Sequence, residues 1–208
     1  MFAATVGLVP FVACSCQRET LSEPETNLPV MAIDEALQQY GEELMQNKEG
    51  VLLAFDLSTE TVLVSIFKAD HSDSLKVLDL VKRCKSEGFP KASPDELETM
   101  WWNVNGGVGT GAYLWIAHVD GLDICGKGVS ITADENNERP VFLGFAPKEN
   151  PRIAVLSYIK GRPHTATFSA PIGSLMIERY LTGGTIRPDL ESRMKLARPI
   201  PQRTQLGE

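Results

Sequence analysis

Leu122-Asp-Ile-Cys-Gly-Lys-Gly-Val-Ser-Ile-Thr132, Pro140-Val-Phe-Leu-Gly-Phe-Ala146 and Arg152-Ile-Ala-Val-Leu-Ser-Tyr-Ile159 follow one another in the chain. Phe168-Ser-Ala-Pro-Ile-Gly-Ser-Leu-Met-Ile-Glu-Arg-Tyr-Leu181 comes next. The first three pieces are short, apolar and separated by the polar turns Asp134–Glu138 and Lys148–Pro151, so they predict three strands. The fourth places Ile172, Leu175, Met176 and Tyr180 at helical spacing and meets Gly183-Gly184 at its end. That pattern predicts a helix with a glycine stop.

Working towards the N-terminus, Ile33, Leu37, Tyr40 and Leu44 recur at helical spacing between Ile33 and Gln46. Val51–Asp56 and Thr61–Phe67 are apolar runs joined by Leu57-Ser58-Thr59-Glu60, which predicts a β-hairpin. Both runs are apolar at successive positions, so a second layer must cover each face. Ser74–Lys85 is a short amphipathic helix that Gly88 and Pro90 end. Ser93-Pro94-Asp95-Glu96 opens another helix, running to about Asn103, with a serine cap, proline in the first turn and acids near the positive end of the dipole. Asn105–Gly111 is glycine-rich but opens no helix after a strand and carries no phosphate-binding lysine, so it is a connection. Residues beyond Leu196 predict a loose tail, 197–208. Two early strands and three late ones form an α+β architecture: a five-stranded, mostly antiparallel sheet flanked by N- and C-terminal helices.

The 208-residue chain is 43% hydrophobic, enough to bury a core, and its net charge of −7 lacks the basic footprint that nucleic acid demands. Cys14, Cys16, Cys84, Cys125, His71, His118 and His164 show no ligand spacing, so neither metal nor cofactor is expected. Phe2–Ala13 is too short to span a bilayer but suits an export signal. Small residues lead into Cys14 and Cys16, either of which could take a lipid, although no basic residue precedes Phe11. The expectation is a lipoprotein signal over 1–16 and a linker over 17–30. A buried first element or a misplaced start is the alternative.

Val119-Asp-Gly-Leu-Asp-Ile-Cys-Gly-Lys127, then Val141-Phe-Leu-Gly-Phe-Ala-Pro147, then Phe168-Ser-Ala-Pro-Ile172 resembles the C-terminal part of the class B penicillin-binding proteins. These are peptidoglycan D,D-transpeptidases, and the likeness is nearest to the penicillin-binding protein 2 group. Ile33–Met45 is similar to that family's first helix and Val51–Ile66 to its first hairpin. The resemblance implies a transpeptidase-like domain over 31–196, with a shortened helical insert over 69–118, in a bacterial cell envelope and facing the periplasm.

The family's chemistry needs a Ser-x-x-Lys helix, a Ser-x-Asn motif and a Lys-Thr-Gly strand. No Ser-x-Asn occurs here. Ser65-Ile-Phe-Lys68 has the first spacing but falls on a predicted strand, where positions i and i+3 point to opposite faces. Ser65 and Lys68 are therefore weak candidates for nucleophile and base. The strand motif reads Gly126-Lys127-Gly128-Val129-Ser130, so glycine replaces the substrate-binding threonine and valine fills the space of the glycine. Lys127 is a relic, a solvated strand lysine or a binding residue, with Ser130 beside it as a substrate-binding candidate. The resemblance without its motifs implies a non-enzymatic binding or scaffold module whose partner is peptidoglycan or a peptidoglycan-synthesis protein. A weak serine D,D-transpeptidase or carboxypeptidase using Ser65 or Ser130 and binding penicillin is one alternative; a decayed fragment is another. Ser74–Lys85 and Ser93–Asn103, with Trp101, Trp102 and Trp115, are the segments available to cover the sheet.

Overall fold

The structure is a computed structural model that describes residues 31–87, 89, 92–106, 114–132, 138–161 and 166–200. The expected signal and linker, both candidate lipidation cysteines, His164, the glycine loop from 107 and residues 201–208 lie outside the described residues.

The chain folds in the order α1 (Glu35–Leu44), β1 (Gly50–Asp56), β2 (Thr61–Phe67), α2 (His71–Ser86), α3 (Pro94–Asn105), β3 (Cys125–Thr132), β4 (Glu138–Ala146), β5 (Ile153–Ile159), α4 (Ala166–Thr182) and α5 (Pro188–Leu196). It is an α+β fold. The sheet order is β2-β1-β5-β4-β3, and every neighbouring pair is antiparallel. β5 is buried along its whole length, as its central place between β1 and β4 requires.

Alternation sorts the strands' side chains between two layers. Leu52, Ala54, Val64, Ile66, Phe142 and Val155 join α1 and α4 in one core. Val51, Leu53, Val141, Leu143, Leu156 and Tyr158 meet Val77 and Leu80 of α2 on the opposite face. This explains why β1 is apolar at successive positions. A bulge sets Leu63 as an extra residue in β2, so Leu63 and Val64 enter the same core.

Local chemistry fixes the helix starts. The Asp34 carboxylate accepts the Leu37 N–H at 3.0 Å, and that of Asp70 accepts the Asp73 N–H at 2.9 Å. Ser93 and Glu96 complete a reciprocal capping box, as their spacing predicts. Two features anchor α2 on the sheet: the Tyr158 hydroxyl donates to Asp73 at 3.0 Å, and Lys160 pairs with Asp70 at 2.8 Å.

Three expectations need correction. Leu122 is not in β3: its N–H bonds to the Val119 carbonyl in a reverse turn, and the strand starts at Cys125. A fifth helix, α5, follows the helix expected to be last; Pro188 opens it, acids follow in its first turn, and Leu190 and Met194 are buried. The expected tail is described only to residue 200, where Pro199 lies against Gly161, whose added Cβ would come within 2.5 Å of it. Of the three tryptophans proposed to cover the sheet, only Trp101 is drawn in, beside Met100 of α3, Cys125 and Phe145; Trp102 and Trp115 remain 50% and 59% exposed. Part of this second layer stays open as a cavity of about 460 Å³ under α2, lined by Phe55, Val81, Cys84, Phe89, Leu143 and Leu156 among others.

Candidate functional site

β3 is an edge strand, and the residues that the sequence singles out lie along it. Pairing sets Lys127 opposite Leu143, and Gly128 opposite Phe142. Lys127 therefore faces the α2 side of the sheet, while Gly126, Gly128 and Ser130 face the α4 side. The Lys127 ammonium lies 5.8 Å from the ring centroid of Phe89. Val129 is half-buried against the α2-side core, so its side chain packs where the resemblance implies open space for substrate.

Gly126 has a packing reason to be glycine. A Cβ there would stand 2.7 Å from the Phe142 ring, and one at Gly144 or Gly173 would stand 2.5 Å from it. Three glycines from β3, β4 and α4 thus form the seat of one buried phenylalanine.

The outer edge of β3 is partly occupied by α3. Asn103 donates its side-chain N–H to the Gly126 carbonyl at 3.2 Å. Asn105 donates to the carbonyls of Ile124 and Trp101, both at 2.9 Å. Those bonds fix the Asn105 amide, so its oxygen faces His118 Nδ1 at 2.8 Å and that nitrogen carries the hydrogen. His118 Nε2 is 3.1 Å from Asp120.

Ser65 and Lys68 do not come together. Ser65 pairs with Leu53, whose side chain belongs to the α2-side core. Lys68 points to the other face, where its ammonium reaches the Met45 carbonyl at the end of α1, at 3.4 Å. Neither of the two described cysteines supplies an activated thiolate: burial pushes Cys125 up to about 12 and also raises Cys84, with Lys127 pulling Cys84 the other way. Among the described residues no group of three or more His, Cys, Asp or Glu side chains could hold a metal ion.

Sequence reasoning missed the clasp behind this edge. Glu178 of α4 is fully buried and paired with Arg187 at 2.7 Å. Arg187 also donates to the carbonyls of Ile116 and His118, at 3.1 and 3.0 Å, and to the Ser174 hydroxyl at 2.9 Å. The signal was a single carboxylate inside the apolar run of α4. The clasp fixes residues 114–118, and through His118 and Asn105 it steadies α3 on β3.

No protein-family model matches the chain, and no curated protein is similar to it. Solved structures are. The transpeptidase domain of the FtsI4 D,D-transpeptidase from Legionella pneumophila is 13% identical, with a TM-score of 0.45 over 74% of this chain and 100% of that one. The D,D-transpeptidase domain of a peptidoglycan glycosyltransferase from Eggerthella lenta is 14% identical, with a TM-score of 0.33 over 69% of this chain and 31% of that one. Among the described residues no helix is long and apolar enough to cross a membrane.

Proposed function

We propose that the chain is a penicillin-binding protein 2-like protein of cell-wall synthesis that binds without catalysing acyl transfer. One observation carries the reading. Asn103 occupies the Gly126 carbonyl at the start of the β3 edge, next to the Lys127–Ser130 stretch along which the resemblance in sequence lays the substrate. A peptide laid along this edge must displace α3 first. The separation of Ser65 from Lys68 across the sheet agrees with this, since a lysine on the other face cannot take a proton from that serine. Val129 beside Lys127 reduces the same space.

In this reading the sheet and its helices are kept as a platform. Its partner is peptidoglycan or a protein that makes it, and its place is the periplasmic side of a bacterial envelope, held by a lipid on Cys14 or Cys16. Incubation with a fluorescent penicillin followed by denaturing electrophoresis tests the loss of catalysis. The expected gel shows no labelled band. A stoichiometric band that disappears in Ser65→Ala or Ser130→Ala would return the chain to the enzymes.

A further inference from the structure

Trp102 is half exposed yet held on several sides. It lies close enough to the Glu98 carboxylate to help, after Lys148, in holding that carboxyl below its ordinary range. Its ring meets that of Trp101 edge-on, with centroids 5.4 Å apart. Gly106 lies against its six-membered ring so closely that a Cβ there would come within 2.1 Å. Trp101 is fixed in turn by the Asp123 carboxylate, which accepts its N–H at 3.3 Å, and by Lys148, whose ammonium is 5.2 Å from its ring centroid. Large exposed apolar side chains are usually free to move; this one is pre-oriented, which lowers the entropy cost of binding on it.

The charges around the ring select the ligand. A cation has no vacancy, because Lys148 already lies over Trp101 and pairs with Glu98. An anion is repelled by Asp95, Glu96 and Glu98, which share α3 with Trp102. What remains is an uncharged ligand with an apolar face for the indole and hydroxyls for the carboxylates of Glu98 and Asp123. A pyranose ring has both: axial C–H bonds on one face and a rim of hydroxyl donors.

The geometry points to Trp102 as a stacking platform for a neutral sugar ring, and to a β-linked N-acetylamino sugar chain as its ligand. The class of sugar rests on the reading that the partner is peptidoglycan. The platform itself rests on the residues above and lies on α3, a different element from the one that carries Lys127 and Ser130.

Titration of the full chain with the N-acetylglucosamine tetramer, read by tryptophan emission, tests it. The wild type is expected to show a saturable change. Trp102→Ala should weaken binding at least tenfold, and Trp102→Phe should keep most of it. Gly106→Ala keeps the indole but displaces it, so it too should weaken binding about tenfold; thermal melts confirm that each variant is folded. Absence of a saturable response in the wild type, or wild-type affinity in folded Trp102→Ala, overturns the proposal. Sedimentation with purified peptidoglycan separates the two claims. If peptidoglycan carries the chain down while the tetramer does not bind, the platform is wrong and the partner right. If the tetramer binds but peptidoglycan leaves the chain in solution, the platform stands and the partner reading falls.

Discussion

Phe142 reaches from β4 towards β3 and α4 because Gly126, Gly144 and Gly173 leave room for it. Its replacement by alanine should cost about 3–5 kcal/mol of unfolding free energy, measured by urea denaturation, because the seat cannot collapse around the void. Gly126→Ala should destabilise as well, since its Cβ would press on the ring. Both effects are on packing, so the glycine before Lys127 is explained without any substrate. Two charged residues make pH-dependent contributions. Partial burial works against the Asp56 carboxylate, but bonds from the Ser58 hydroxyl, the Tyr180 hydroxyl and the N–H groups of Ser58 and Thr59 prevail and bring it from 3.8 to about 2. The folded carboxylate holds its charge more strongly than the unfolded one, so its stabilisation is present above about pH 3.8 and is lost as pH falls towards 2. Tyr180→Phe should flatten that part of an acid denaturation curve. Lys48 has the opposite sense. Burial, with the charge of Lys68 second, lowers it from 10.5 to about 8. The folded chain then binds fewer protons than the unfolded one between about pH 8 and 10.5, so stability should rise with pH across that window. Lys48→Met should abolish the rise, as read by thermal melts at several pH values.

At the scale of elements, helix and strand were legible where local chemistry and burial agree. The Ser93 cap sits where it was expected, as do the hairpin and the cores of the last three strands. The start of β3 was misjudged because Leu122 and Ile124 are apolar like strand residues, yet they serve a reverse turn that Asn105 holds from outside. α5 was overlooked because it is nine residues long with four of them charged, and only Leu190 and Met194 are buried. The docking of α3 on the β3 edge could not be read from sequence either. It depends on asparagines that meet backbone groups 19 and 23 residues away. Asn105→Ala removes the bonds to Ile124 and Trp101 and the partner of His118 Nδ1, so it should cost about 1–3 kcal/mol in a denaturant melt. Asn103→Ala should raise hydrogen exchange at the end of α3 while leaving α1 and α4 protected.

At the scale of the molecule, one sheet is covered by α1, α4 and α5 on one side and by α2 and α3 on the other. Glu178 and Arg187 tie the first layer to residues 116 and 118, and so to the second. Arg187→Ala leaves a buried carboxylate unpaired and should cost about 3–5 kcal/mol. Its loss should also loosen α3, which a merely local ion pair would not do; hydrogen exchange reads the difference. The candidate site was legible in part. Gly126, Lys127 and Ser130 were found by resemblance, but alternation sends Lys127 and Ser130 to opposite faces, and only the fold shows what covers the edge between them. The central proposal is that this edge does not support acyl transfer. Intact-mass spectrometry of the folded chain after long incubation with penicillin tests it most directly. An unchanged mass is the predicted result; a mass raised by one penicilloyl group on a serine would contradict it.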